Sequence, residues 1–338
     1  RGATPKAAWA FGSQPDRQES EDTIAIEGVG SDLFTGAATA QIRVVAPAGA
    51  AGMAPVAVLR YDSRTVDELG ARTQGQSAGL GWTLDVGGHI TRDTKNTLTT
   101  SDDTFKLFFG GRSHDLALVD GAQGLYRTKD DILAHLQYDA SSNYWTLITK
   151  DGTRHRFGSS SASRAMTLGP DLTTAITAKY LLDEVTTTSG VAIRYSYVKE
   201  SATVSSTGRS YDQAVYPDTI SYAYSGSSAI GALREIRFVR GPRTDWTDSS
   251  TPSTLGFFER SRIDAIEVWV GSSLARKYTF GYDYTSIDRD PSYTWGGGAV
   301  GDLALTSVTL YGSDGASGLP PLTFTYSNAR VATAATGL

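Results

Sequence analysis

Short apolar runs with a period of two residues recur along the whole chain, and small or polar residues separate them. Residues 104–119, 181–198 and 262–284 each contain two such runs around a glycine-containing turn. Alternating apolar residues are typical of half-buried strands, whereas stretches with helical spacing are almost absent. The pattern predicts an all-β fold with little helix, in which successive hairpins build large antiparallel sheets as a sandwich or as an open, shell-like wall.

Turn-forming residues divide these runs at defined positions. Asp151-Gly152 and Gly110-Gly111 lie between apolar runs, where the positive φ angles of a tight hairpin favour glycine. Three polar stretches are predicted to be long loops, and loops of this length usually carry contacts or function. They are residues 208–217, 241–259 and 288–298.

The rhythm of strands is weakest in two places. Residues 1–32 are polar and weakly patterned, which predicts a loosely ordered N-terminal arm. Residues 159–171 interrupt the strands, so they predict a boundary between a first β region over residues 33–158 and a second β region of tyrosine-rich hairpins over residues 172–328. One continuous domain is compatible with the same pattern.

Composition excludes several classes of protein. The 338 residues include 31 basic and 36 acidic side chains without a basic stripe, which argues against nucleic-acid binding. The absence of cysteine excludes disulfides, thiolate metal ligands and a cysteine nucleophile. No apolar run approaches the ~18 residues of a membrane-spanning helix. We therefore predict no cofactor, no nucleic-acid partner and no membrane span.

The glycine-rich stretch of residues 75–94 raises the question of phosphate binding. A phosphate-binding loop needs glycine amides that lead into a helix, but neither a Gly-Lys-Ser/Thr sequence nor a helical run follows Gly81. We predict a structural corner instead. Gly79 and Gly81 would allow a close backbone approach, and Trp82 would be a buried anchor.

Candidate catalytic and metal-binding side chains are scattered along the chain. The histidines are His89, His114, His135 and His155. They show no metal-ligand spacing, so no metal site is predicted. The clustered aspartates are Asp102 and Asp103, Asp130 and Asp131, and Asp288 and Asp290. A glycosidase needs two carboxylates about 5–10 Å apart, whereas aspartates at strand ends are usually turn formers. No catalytic residue is assigned.

Two tryptophans in the predicted polar loops support an alternative function. Trp246 and Trp295 lie beside small polar or acidic residues, where an exposed indole could stack on a sugar ring. Tryptophans in large loops also often fix the loop to a sheet. The alternative is a secreted carbohydrate-binding module or glycosidase, with cell-surface glycan as its partner.

Five sequence blocks occur in order over about residues 36–327. The first, third and fifth are GAAGMAPVAVLRYDS, DDTFKLFFGGRSHDL and LPPLTFTYS. The second reads Gly-x-Gly-Trp-x-Leu followed by Ile-x-Arg, and the fourth contains Trp, then Lys-Asp-Gly-Thr, then an aromatic residue before glycine. Their residues are Gly79, Gly81, Trp82, Leu84, Ile90, Arg92, Trp145, Lys150, Asp151, Gly152, Thr153, Phe157 and Gly158. Together the blocks resemble the SpvB-like N-terminal domain of insecticidal toxin complex B components and of RHS/YD-repeat proteins.

The resemblance implies a non-enzymatic role. It suggests a β-sheet scaffold or shell domain of a secreted or cell-surface bacterial virulence protein, which encloses or docks other domains or subunits of a larger toxin or RHS assembly. The toxic activity of such proteins lies in other domains, so the resemblance assigns no catalytic, metal-binding or cofactor-binding residue. The residues of the five sequence blocks are expected to form structural motifs.

Overall fold

The computed structural model describes residues 26–31, 36–67, 74–246, 255–285 and 301–326. In these ranges the chain forms twenty β-strands and very little helix. The first ten strands are β1 (Ile26–Ser31), β2 (Ala38–Arg43), β3 (Val58–Asp62), β4 (Trp82–Asp85), β5 (His89–Asp93), β6 (Thr104–Phe109), β7 (Arg112–Asp120), β8 (Leu125–Thr128), β9 (His135–Asp139) and β10 (Tyr144–Ile148). The other ten are β11 (Arg154–Phe157), β12 (Arg164–Leu168), β13 (Ala175–Thr186), β14 (Val191–Val204), β15 (Arg209–Ser225), β16 (Ser228–Pro242), β17 (Ser261–Val270), β18 (Ser273–Thr285), β19 (Asp302–Tyr311) and β20 (Leu322–Thr323).

The helices of the described ranges are short. They are α1 (Arg64–Asp67) and two 3-10 helices, Ala50–Gly52 and Thr100–Asp102. None of the helices in this part of the chain has the length and apolarity that a membrane crossing requires.

A small antiparallel sheet with the strand order β1-β2-β3-β4 begins the described chain. Strand β4 pairs with β3 so that Trp82 lies opposite Tyr61. Trp82 is therefore the first residue of β4, which is an edge strand of this sheet.

Eight strands, β5 to β11 together with β13, form a closed ring. Each strand from β5 to β11 pairs with the next, β11 pairs with β13, and β13 pairs back with β5, all antiparallel. Closing a sheet on itself removes exposed strand edges, which would otherwise invite pairing with other chains. The sequence analysis did not predict this closure.

Strand β13 belongs both to the ring and to a long open sheet. Along one edge it pairs first with β12 and then with β11, and along the other edge it pairs first with β5 and then with β14. From β14 the sheet continues in chain order, strand by strand, to β20. The ring and the long sheet are thus one continuous pleated surface.

Aromatic side chains fill the interior of the ring. Trp145 is 0% exposed, and its ring centroid lies 4.8–5.0 Å from those of Phe105, Tyr126 and Tyr138. The fully buried aliphatic and aromatic neighbours are Leu107, Leu136, Leu147 and Phe157. A ring of eight strands is just wide enough for side chains to fill it, so its interior is a packed core.

The predicted all-β antiparallel fold is confirmed, and the predicted turns at Gly110-Gly111 and Asp151-Gly152 connect β6 to β7 and β10 to β11. The prediction of a long loop over residues 208–217 was wrong, because β15 runs through it and pairs with β14. Tyr211 and Gln213 are buried on one face of β15, but Gln213 is itself polar, which conceals the period of two.

Two predicted boundaries fall near observed strands. Residues 26–31 of the expected N-terminal arm form β1, and residues 1–25 lie outside the described residues. Strand β12 occupies part of the interruption at residues 159–171 and pairs with β13. The division into two β regions stays a prediction.

Candidate functional site: the junction segment

Residues 74–82, here called the junction segment, cross from the small sheet to the far end of the long sheet. The backbone amide of Ile263 on β17 donates to the carbonyl of Ser77 at 3.1 Å. The amide of Leu80 donates to the carbonyl of Leu303 on β19 at 2.8 Å. The glycine-rich stretch therefore makes contacts with strands that are more than a hundred residues away in the sequence.

Gly79 has to be glycine for two independent reasons. Its φ is +96°, a conformation that side chains with a Cβ rarely adopt. A Cβ added there would also lie 3.0 Å from the amide nitrogen of Leu305 and 3.1 Å from the carbonyl oxygen of Leu303. Gly81 is likewise left-handed, at φ +74°, and packs under the ring of Tyr61. These glycines permit backbone contact with β19 and aromatic packing beside Trp82.

Trp82 joins the small sheet to the last described residues. It is 2% exposed, and its Nε1 donates to the hydroxyl of Tyr326 at 3.0 Å. The hydroxyl of Tyr326 in turn donates to the carbonyl of Leu305 at 2.7 Å. The ring centroid of Trp82 lies 5.0 Å from that of Phe324 and 5.3 Å from that of Tyr61. This geometry is that of a packed corner.

A fully buried ion pair lies at the other end of the junction segment. Nε and Nη2 of Arg243 each donate to an oxygen of Asp245 at 2.6 Å, and both side chains are 0% exposed. Nη1 of Arg243 donates to the carbonyl of Gly75 at 3.0 Å, and Asp245 accepts from the amide of Leu303 at 2.8 Å. A buried pair is tolerated only when such additional bonds satisfy its remaining donors and acceptors.

Gln74 connects this pair to a third segment. Its Nε2 donates to the backbone carbonyls of Asp245 at 3.1 Å and Glu259 at 2.9 Å, and its Oε1 accepts from the amide of Glu259 at 2.8 Å. We call Gln74, Arg243, Asp245 and Glu259 the buried hub. Through the hub, the junction segment holds residues 243–246 and 255–260 together.

Glu259 is the least satisfied member of the hub. Its Oε2 is buried, has no hydrogen-bond partner among the described residues, and lies 3.7 Å from Nη1 of Arg243. Burial raises the pKa of Glu259 to about 7, although the charges of Arg243 and Lys179 counteract this rise, and Glu200 adds to it as a like charge. The Glu259 carboxyl therefore changes its charge near neutral pH.

We expect the Glu259→Gln variant to be more stable than the parent protein at pH 8 and equally stable near pH 4. Because the folded chain raises the pKa from 4.5 to about 7, the stabilising contribution of the protonated carboxyl is complete below 4.5 and is lost as the pH rises through 7. The difference at pH 8 should be on the order of 2 kcal/mol. Urea unfolding of both proteins across this range measures it.

The comparison of the two proteins isolates Glu259 from other titrating groups. Burial also lowers the pKa of His89 and of His155, which makes the free energy of unfolding depend on pH. Both histidines are present in parent and variant, so their contribution cancels in the difference between the two proteins. Asp264→Asn is the control, because Asp264 lies in a half-exposed pair with Arg262. The control shows what the loss of a carboxylate outside the hub does to stability. A pH-independent difference for Glu259→Gln would contradict the assignment.

Arg92 and Asp103 form a separate ion pair. Nε of Arg92 donates to Oδ2 of Asp103 at 2.7 Å, Nη2 contacts the same oxygen, and the two side chains are 15% and 3% exposed. Asp102 accepts instead from the hydroxyl of Thr97 at 3.1 Å. The two adjacent aspartates thus have different partners, and each has a structural role in place of an acid–base pairing with the other.

The remaining clustered aspartates are also divided. Asp130 accepts from Nδ1 of His114 at 2.6 Å, whereas Asp131 has a left-handed backbone with φ 46° in the turn that follows β8. Asp288 and Asp290 lie outside the described residues. Within the described ranges no three histidine, aspartate or glutamate side chains gather as metal ligands.

The Lys-Asp-Gly-Thr block forms the turn between β10 and β11. The carboxylate of Asp151 accepts from the hydroxyl of Thr149 at 2.6 Å and from the amide of Thr153 at 3.1 Å, and these bonds lower its pKa to about 2. Gly152 follows with φ +82°. An ionised aspartate that caps its own turn, followed by glycine, sets the hairpin that places Trp145 in the ring.

Trp246 is attached to the hub. Its Nε1 donates to the carbonyl of Arg243 at 2.8 Å, and the guanidinium of Arg260 lies 4.5 Å from its ring centroid. One ring face is therefore occupied by a cation. Sugar binding at Trp246 stays a prediction, and Trp295 lies outside the described residues.

The sequence analysis did not single out the members of the buried hub. Three of them lie in or at the edge of stretches that were treated as loops, and their partners are distant in the sequence: 168 residues separate Arg243 from Gly75. The Arg-x-Asp spacing of residues 243 and 245 is the only local sign of the pair.

A protein-family model described as SpvB, Salmonella virulence plasmid 65kDa B protein, matches residues 126–228. The match runs from β8 to the start of β16. None of the curated proteins matches the chain.

Solved structures share the fold over a longer range. The structure titled "Crystal Structure of TcdB2-TccC3" has a TM-score of 0.61 and 20% identity, and the match covers 94% of this chain and 17% of that one. The structure titled "Crystal Structure of TcdB2-TccC3-TEV" has a TM-score of 0.60 and 20% identity, and the match covers 93% of this chain and 17% of that one. The structure of the N-terminal domain of effector protein SpvB from Salmonella typhimurium strain LT2 has a TM-score of 0.52 and 16% identity. That match covers 80% of this chain and 98% of the other.

The resemblance to SpvB-like domains of toxin-complex proteins is thereby confirmed. The family match covers part of the chain, and at these identities the structural likeness concerns the fold. The chain spans about a sixth of the TcdB2-TccC3 chains that it matches.

Proposed function

We propose that this SpvB-like domain of the toxin-complex type is a non-enzymatic scaffold, which encloses or docks other domains or subunits of a larger RHS-like virulence assembly. In this role it acts outside the producing bacterium, as a secreted or surface-displayed part of the assembly. The observation that carries the proposal is the fold match: 94% of the chain corresponds to only 17% of a TcdB2-TccC3 chain.

The way the junction segment is built supports this proposal. A scaffold has to keep its walls in a fixed relation, and the junction segment bonds the small sheet to β17 and β19. The buried hub adds residues 243–246 and 255–260 to the same connection. The charged groups of the hub bond to one another and to the backbone of a distant strand, which is the arrangement expected of a structural centre.

The test is the state of the protein in its source bacterium. We expect the native protein, purified under mild conditions, to be associated with other toxin-complex polypeptides or domains in a fixed ratio. Light scattering after size exclusion and cross-linking mass spectrometry would measure this. Behaviour as a free chain without cross-links to another domain would contradict the scaffold role.

A further inference from the structure

A polar cleft at the ring lies apart from the junction segment. It has a volume of about 380 Å3 and is bounded by the turn between β7 and β8, residues 121–124, and by the hairpin of β9 and β10. Gln137, Asp139, Tyr144 and Thr146 line it. The volume falls in the range of about 300–1,000 Å3 that is typical of small-ligand sites.

The register of the hairpin places these four side chains on one face. Tyr144 lies opposite Asp139, and Thr146 lies opposite Gln137. Successive residues of a strand point to opposite faces, so the side chains of alternate residues and of their direct partners lie side by side. The residue between the two on β10 is Trp145, which points into the packed ring. The packed core thus fixes the position of β10, which carries Tyr144 and Thr146 on the side of the cleft.

The four side chains differ in the hydrogen bonds that they offer. Oδ1 of Asp139 accepts from the amide and the hydroxyl of Ser141 and from the amide of Ser142, and these bonds, first that of the Ser141 hydroxyl, lower the pKa of Asp139. All of them end on Oδ1. Nε2 of Gln137 donates to the carbonyl of Gln123 at 3.2 Å. Asp139 is therefore an ionised acceptor that its own turn holds in place.

The hydroxyls of the cleft are free to bind a ligand. Among the described residues, neither the hydroxyl of Tyr144 nor that of Thr146 has a hydrogen-bond partner, and the Tyr144 ring makes no aromatic or cationic contact. Both side chains are partly exposed. A half-exposed aromatic ring beside a carboxylate, an amide and a hydroxyl combines an apolar face with oriented polar groups.

We propose that this cleft binds a neutral hexopyranose residue of a glycan. The apolar face of the sugar would lie on the ring of Tyr144, and its hydroxyls would donate to Asp139 and exchange hydrogen bonds with Gln137 and Thr146. Uronic and sialic acids are excluded as ligands, because their carboxylates would meet the Asp139 charge and the described residues that line the cleft include no lysine or arginine. The site is independent of the scaffold role and differs from the tryptophans considered in the sequence analysis.

Saturation-transfer NMR on residues 1–338 tests the proposal. The probes are the methyl glycosides of glucose, galactose, mannose and N-acetylglucosamine, with methyl glucuronide as the anionic probe. We expect at least one neutral glycoside to bind, and Tyr144→Ala and Asp139→Asn each to weaken it at least tenfold. Methyl glucuronide should give no transfer.

Two further variants make the experiment decisive. Thr146→Val keeps the shape of a β-branched side chain and should weaken the same probe, which separates lost contacts from misfolding. Tyr224→Ala removes a tyrosine that stacks on Arg194 outside the cleft, and it should leave binding unchanged. The proposal is overturned if none of the four neutral probes binds, or if binding survives Tyr144→Ala but is lost in Trp246→Ala.

Discussion

The Asp245→Ala variant is expected to lose about 3–5 kcal/mol of its free energy of unfolding, because it removes the two-point partner of the buried Arg243 guanidinium. Among the described residues, only the Glu259 carboxyl, 3.7 Å from Nη1, then remains as a counter-charge. The Arg243 side chain is 0% exposed in the folded protein. The change also removes the acceptor for the amide of Leu303, which Asp245 holds at 2.8 Å. Since domains are stable by only about 5–15 kcal/mol, a large part of the folded population is at risk. Urea unfolding followed by circular dichroism measures the loss.

A double-mutant cycle separates the ion pair from general disruption. The Arg243→Ala variant should be destabilised as well, whereas the Arg243→Ala/Asp245→Ala double variant should be destabilised by clearly less than the sum of the two single changes. The double variant removes both charges of this pair together, so the coupling energy should be about 2–3 kcal/mol. Additive effects, or single changes that each cost less than about 1 kcal/mol, would show that the pair does not hold the junction.

The Trp145→Ala variant should be destabilised by about 3–5 kcal/mol, since it leaves a cavity in the ring. Trp145 is 0% exposed and contacts Phe105, Tyr126 and Tyr138, which come from three different strands of the ring. Thermal and urea unfolding, followed by near-UV circular dichroism, measure the effect on the packed aromatic side chains.

Two neighbouring changes provide the controls for Trp145. Trp145→Phe keeps an aromatic ring and removes Nε1, which is buried without a hydrogen-bond partner among the described residues, so this variant should lose much less than Trp145→Ala. Tyr144→Ala alters the adjacent, outward residue and should cost no more than about 1 kcal/mol. Equal losses for Trp145→Ala and Tyr144→Ala would mean that the ring interior is not a specifically packed core.

Local patterns in the sequence were enough for the class of fold and for several turns. The period of two predicted antiparallel strands, because a strand exposes its faces alternately whatever its partner is. Asp-Gly and Gly-Gly predicted the turns at residues 151–152 and 110–111, because positive φ is a property of the residue itself. Gly79, Gly81 and Trp82 were predicted to form a structural corner. The structure places Gly79 against β19 and Trp82 against Tyr61 and Phe324.

Local patterns did not predict which residues pair when they are distant in the sequence. The first part of β15, up to residue 217, was interpreted as a loop because its polar residues dilute the alternation, and its pairing with β14 identifies it as a strand. The closure of the ring depends on the meeting of β11 and β13, which a bulge at residues 156–157 accommodates. Neither feature has a signal of its own along the chain.

The sequence by itself therefore predicted that this protein is made of antiparallel strands with glycine turns and resembles SpvB-like domains. Only the tertiary structure decided which charged and polar groups lie next to one another. Arg243 donates to the carbonyl of Gly75, 168 residues away in the sequence, and Tyr144 lies opposite Asp139 in the β9–β10 hairpin. The reason is physical. Alternation and turn chemistry are set by neighbouring residues, whereas burial, ion pairing and clefts arise only when separate strands are brought together.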